Sequence, residues 1–158
     1  MKPRHVTFTV VLGSVVALAV ACATTSQPTM STADTIAARQ KLMKEQGAAL
    51  KSINDKVKAG QQQAIGPDAQ TLVETSKRIP SLFPAGSLDP ATSRAKPEIW
   101  QKWPQFEANA KTLESKATQL AATSQTASAA ETGAVVADLG KTTCGACHEA
   151  FRGPEIKK

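Results

Sequence analysis

Near the C-terminal end of the chain, Cys144, Cys147 and His148 stand in the order Cys-X-X-Cys-His. This spacing is the attachment signature of a c-type haem. Two thiols add across the two vinyl groups on one edge of the porphyrin and form thioethers. On a helix, residues i and i+3 point the same way, so both thiols meet that edge. The imidazole that follows is in place to bind the iron. Two other chemistries use the same residue types. A structural zinc site needs about four ligands, and the only other histidine is His5, in a basic leader. A thioredoxin-like pair needs a neighbouring βαβ pattern, and no strand pattern is present. A non-haem helical module with Cys144 and Cys147 as a thiol pair is the alternative outside haem chemistry.

The elements that must position these residues read as helices. Ile36, Met43, Leu50 and Val57 recur every seven residues, joined by Ile53, which predicts a helix from about 34 to 58. Thr32 or Asp34 is the expected cap, and Gly60 the expected stop. A second helix starts after Gly66, with Pro67 and Asp68 in its first turn and Leu72, Val73, Ser76 and Ile79 facing inward. Residues 80–97 hold four prolines and Gly86 and read as a long surface loop. A third helix begins at Pro97 or Pro104, and Phe106, Ala110, Leu113, Ala117 and Leu120 form its apolar stripe. Residues 121–130 are almost all Ala, Ser, Thr and Gln, so a loose junction is expected there. The fourth helix starts between Glu131 and Ala134 and runs through Val136, Leu139 and the cysteine motif to Phe151, with Gly153 and Pro154 ending it. Four amphipathic helices without strands predict an all-α, four-helix bundle.

The 158 residues suffice for one domain with a sizeable core, although aromatics are only 4% and Tyr is absent. A large flat apolar cofactor would help fill such an interior. The net charge is +6. It is dispersed, without a basic run interleaved with aromatics, so there is no case for nucleic acid. Residues 1–21 read as a secretory signal: Lys2, Arg4 and His5, then an apolar stretch too short to span a membrane, then small residues. Two cleavages compete. Ordinary cleavage at the Ala-rich site would release a soluble periplasmic protein. The stretch 18–22 also resembles a lipobox, which would leave Cys22 as a lipid anchor to a membrane. Residues 22–33 then form a polar linker and 34–158 the domain.

Three segments resemble the class II cytochromes c, the cytochromes c′ and their low-spin relatives, the cytochromes c-556. Arg39, Met43 and Lys44 are similar to the Arg-x-x-x-Met/Leu-Lys segment of that family's first helix. The run from Lys96 to Trp100 is similar to its Lys/Arg-Pro-Glu-Ile-Trp entry to the third helix. Cys147, His148, Phe151 and Arg152 match its Cys-His-x-x-Tyr/Phe-Arg tail. The resemblance implies an antiparallel bundle holding one covalent haem c, often a homodimer through the first two helices. It implies thioethers at Cys144 and Cys147, His148 as proximal ligand, and Arg39 near a haem propionate. It sets Met43 over the distal face of the haem.

Met43 divides two functions. With its sulfur on the iron, the site is six-coordinate and low-spin, and the protein is a single-electron carrier serving redox partners of the periplasm. This is the expected outcome, supported by the Met-Lys spelling and by Gly47 one turn on. With Met43 only packing, the iron is five-coordinate and open to NO or CO, as in cytochromes c′. Trp100 and Trp103 are expected to pack at the bundle end, and Phe151 below the haem. No residue set for bond-making catalysis is present, so no enzyme activity is expected.

Overall fold

In the computed structural model, residues 30–156 are described. The expected leader, Cys22 and most of the 22–33 linker lie outside them. Helix α1 spans Thr32–Lys58. Its cap is Ser31 rather than Thr32 or Asp34: the Asp34 backbone N–H donates to Ser31 Oγ at 3.1 Å. Asp34 instead sits at the positive helix end, where a carboxylate is favoured. Gly60 ends the helix as expected. Its φ of 72° lies in the left-handed region that glycine enters without steric cost, and Gln61 N–H reaches back to Lys56 O at 2.8 Å.

A short 3₁₀ turn leads into α2, Gly66–Arg78. Lys56 and Ser52 of α1 both donate to Asp68 in its first turn, at 2.6 and 3.0 Å. The third helix is broken at Lys102 into α3, Glu98–Gln101, and α4, Trp103–Thr123. All five residues of the expected stripe, Phe106 to Leu120, are buried. After a turn come α5, Ala129–Asp138, a π-helical segment, Leu139–Gly145, and α6, Ala146–Phe151. Helices α1, α2, α4 and the α5–α6 arm form the antiparallel four-helix bundle, each packed on the next and the arm closing back on α1 through α5.

One further expectation is corrected. The junction at 121–130 is well defined. Ser124 is fully buried, and Ser128 and Glu131 form a capping box that satisfies the first free N–H groups of α5. Small polar residues serve here as caps, not as slack. Residues 80–97 form a surface loop as expected, opening with a 3₁₀ turn at Pro80–Leu82, and that loop is anchored at several points. Phe83 and Ser87 are buried. The far end pairs with the C-terminal segment, Lys96 N–H donating to Phe151 O at 3.0 Å and Gly153 N–H to Arg94 O at 2.7 Å. Among the described residues, the Ala95–Arg152 bridge within this pairing is the only β contact.

An aromatic cluster closes that end of the bundle. Phe106 meets Phe83 at 4.8 Å and Phe151 at 5.4 Å, both edge to face, the geometry that ring quadrupoles favour. Trp103 packs on Phe106, and the Trp100 indole N–H donates to Phe83 O at 3.0 Å. Both tryptophans therefore pack at the bundle end.

Candidate functional site

Cys144 lies at the end of the π-helical segment, and Cys147 and His148 in the first turn of α6. The π segment makes the backbone wide here. A Cβ at Gly145 would sit 3.3 Å from the carbonyl oxygen of Gly140, five residues back. Such turns are uncommon and gather at functional sites. The segment is held from both sides. Leu139 and Thr143 are buried, and Lys116 of α4 donates to Asp138 and to Thr142, each at 2.6 Å.

Both thiols are free, half-buried and packed against the hydrophobic core. Burial pushes their pKa values up. At Cys147 a hydrogen bond from Asn109 of α4 works in the opposite direction. His148 is half-buried, and its pKa is lowered first by desolvation and then by the positive charges of Arg152 and Arg94. The imidazole is therefore kept neutral, the form that can bind a metal.

Arg39 and Met43 are one turn apart on α1. Arg39 is buried, 4% exposed, not a solvated helix arginine. Its Nε donates to Leu82 O at 2.5 Å, its Nη2 to Ser87 O at 2.7 Å and also to Ser87 Oγ. The guanidinium lies 4.4 Å above the Phe83 ring. Its Nη1 is buried and has no partner. Met43 is half-buried against the core. One turn further, Gln46 has a buried Nε2 that also lacks a partner. Gly47 is exposed, and an added Cβ would meet nothing within 4 Å.

The register of the two helices follows from one contact. A Cβ on Gly133 of α5 would lie 3.5 Å from Val57 of α1. Met43 precedes Val57 by about four turns, and Cys147 follows Gly133 by about four turns. In an antiparallel pair those residues stand at the same level. The α1–α5 contact is a packed interface, whereas α1 forms none of comparable extent with the motif-bearing segment.

A flat apolar group with carboxylate edges fits this donor set. It asks for two thiols on one helical face, a neutral imidazole, apolar flanks and a buried cationic donor with a free N–H. Cys144 and Cys147, His148, Met43 and Leu50, and Arg39 Nη1 provide these in turn. The sequence reading missed Gln46, Ser87 and Lys116. Gln46 carries a legible signal, a polar residue on an apolar stripe at i+3 from Met43. Ser87 and Lys116 carry none, because their partners are distant in the chain.

The family model for cytochrome C′ matches residues 34–152. The chain belongs to the cytochrome c′ family. The cytochrome c′ of Pararhodospirillum photometricum is 33% identical over 84 residues, which are 53% of this chain and 66% of that protein. That of Rhodopseudomonas palustris is 30% identical over 124 residues, 75% of this chain and 82% of the relative. The solved structure of a Rhodopseudomonas palustris cytochrome c′ superposes with a TM-score of 0.69 at 29% identity, covering 77% of this chain and 98% of that one. Like the members of its family, this cytochrome carries one covalently bound haem c.

Proposed function

We propose that this chain is an exported monohaem cytochrome c′ whose iron is five-coordinate and binds small gases such as NO or CO on the Met43 side. One observation carries the reading. The family match and both curated relatives are cytochromes c′, and Met43 lies half-buried against the hydrophobic core. This favours the open-site alternative over the low-spin expectation. The His/Met-ligated electron carrier is the second reading. It draws on the register that sets Met43 level with the cysteine motif.

Haem c, when bound, supplies one-electron redox chemistry and an iron that takes diatomic ligands. The protein residues do the rest. Cys144 and Cys147 tether the group from one helical face. His148 is presented neutral because burial, Arg152 and Arg94 disfavour its protonation. Arg39 Nη1 is a charged donor for a propionate, while its other nitrogens hold the 80–97 segment in place. Met43 and Leu50 exclude water from the opposite face. The role these residues support is carriage and binding.

The proposal includes location and partners. Residues 1–21 direct export to the periplasm, with Cys22 as an anchor if it is lipidated. Among the described residues no helix is long and apolar enough to cross a membrane. Residues 34–158 form the haem domain, and α1 and α2 the face of a homodimer. Periplasmic redox proteins are the electron partners.

The test is the visible spectrum of the reduced holoprotein before and after CO. A broad high-spin spectrum with a large CO shift supports the open site. A sharp α band that CO leaves unchanged puts Met43 on the iron and replaces gas binding with electron transfer. Cys144→Ser with Cys147→Ser removes the covalent haem stain in denaturing gels if these thiols are the attachment points.

A further inference from the structure

The inward face of α1 is apolar at Leu42, Met43, Ala49, Leu50 and Ile53. Two polar side chains interrupt it. Arg39 lies one turn before Met43, and Gln46 one turn after. These spacings, i−4 and i+3, put all three on one flank of the helix. Each polar residue ends in a buried nitrogen without a partner, Arg39 Nη1 and Gln46 Nε2.

Buried amide donors are almost always hydrogen-bonded, because leaving one unmade forfeits the hydration it had in water. Arg39 is spoken for by three other bonds, and its free N–H carries a full charge suited to a carboxylate. Gln46 has no such bond within the described residues. Its amide NH2 is a neutral donor. It suits the far end of a small uncharged ligand that gains electron density when it binds iron. An apolar residue at this position would pack as well and discriminate nothing.

We infer that Gln46 is a specificity-determining residue of the gas site: its carboxamide N–H donates a hydrogen bond to the distal end of a diatomic ligand bound on the Met43 side. The inference rests on the five-coordinate reading proposed above. Such a donor selects ligands with an acceptor end and slows their escape.

The experiment uses CO as probe on the reduced holoprotein, wild type, Gln46→Leu and Gln46→His. The C–O stretching frequency and the CO dissociation rate are measured. Donation to the oxygen weakens the C–O bond, so Gln46→Leu is expected to raise the frequency and speed dissociation roughly fivefold, as for one ordinary hydrogen bond. Gln46→His, which keeps a donor, is expected to return the frequency toward wild type. Haem content and the melting curve check that both variants are folded. A wild-type CO complex whose frequency and dissociation rate are unchanged in Gln46→Leu overturns the role of Gln46 and leaves the open site standing. Failure of the wild type to bind CO overturns both.

Discussion

Replacing Arg39 by Met separates what holds the bundle end together from what holds the haem. Met keeps much of the alkyl stem and removes the guanidinium. Three hydrogen bonds disappear, to Leu82 O, Ser87 O and Ser87 Oγ. They join residues 43 and 48 positions apart in the chain, so nothing local replaces them. The stacking on Phe83 goes too, worth about 0.5–2 kcal/mol. Hydrogen bonds to a charged donor contribute about 1.5–3 kcal/mol each. Against this stands the cost of burying the charge, visible as a guanidinium pKa pulled below its ordinary value. The acceptors left without a donor cost about 1–3 kcal/mol for each that stays buried, so a net loss of about 3–5 kcal/mol is expected. For a domain of this size that is a fall in melting temperature of roughly 10–20 °C. The assay is thermal unfolding by circular dichroism at matched haem content, with Arg39→Lys beside it. Lysine keeps the charge but cannot reach Leu82 and Ser87 together, so an intermediate loss is expected. A melting point for Arg39→Met within about 4 °C of wild type would refute the reasoning that Arg39 ties the 80–97 segment to α1.

Other outcomes follow from the same geometry. Ser128→Ala removes the hydroxyl half of the capping box on α5 and keeps the backbone N–H of residue 128 that donates to Glu131; it is expected to cost about 1 kcal/mol, read from urea unfolding. Gly47→Ala adds a methyl to an open position in the interior of α1, and in unfolding measurements it is expected to stabilise by up to about 1 kcal/mol. A changed visible spectrum in that variant would show that the methyl reaches the haem. For pH, the sign is set by a lowered pKa. His148 stays neutral at and above its ordinary value of 6.5 and is protonated only as pH falls through its lower folded value. In the haem-free protein the imidazole is therefore expected to titrate below pH 6.5, followed by NMR. Arg152→Gln removes a positive neighbour and is expected to move that titration upward.

Much of the fold was legible because bundle helices carry their packing in periodicity. The stripe from Phe106 to Leu120 is buried throughout, and so are Leu72, Val73, Ser76 and Ile79. On α1 the expected stripe is only partly core: Ile36 and Ile53 are buried, while Met43, Leu50 and Val57 are half-buried and Leu42 and Ala49 complete the core line. A seven-residue stripe marks an apolar side of a helix but not its rotation, which depends on which neighbours pack there. The fourth helix was read as continuous, and the π turn at the cysteine motif left no mark in the pattern.

The sequence by itself determined the chemistry and the class of fold. Cys144, Cys147 and His148 are neighbours in the chain, and helix periodicity and caps are local properties. Tertiary structure decided what depends on contacts between distant residues. It buried Arg39 under Ser87 and Phe83 and tied residues 94–96 to the chain after α6. It set Met43 level with Cys147 and left Gln46 with an unanswered donor on the same flank. None of these can be read from spacing, because each arises where two helices that share no local sequence come to lie side by side.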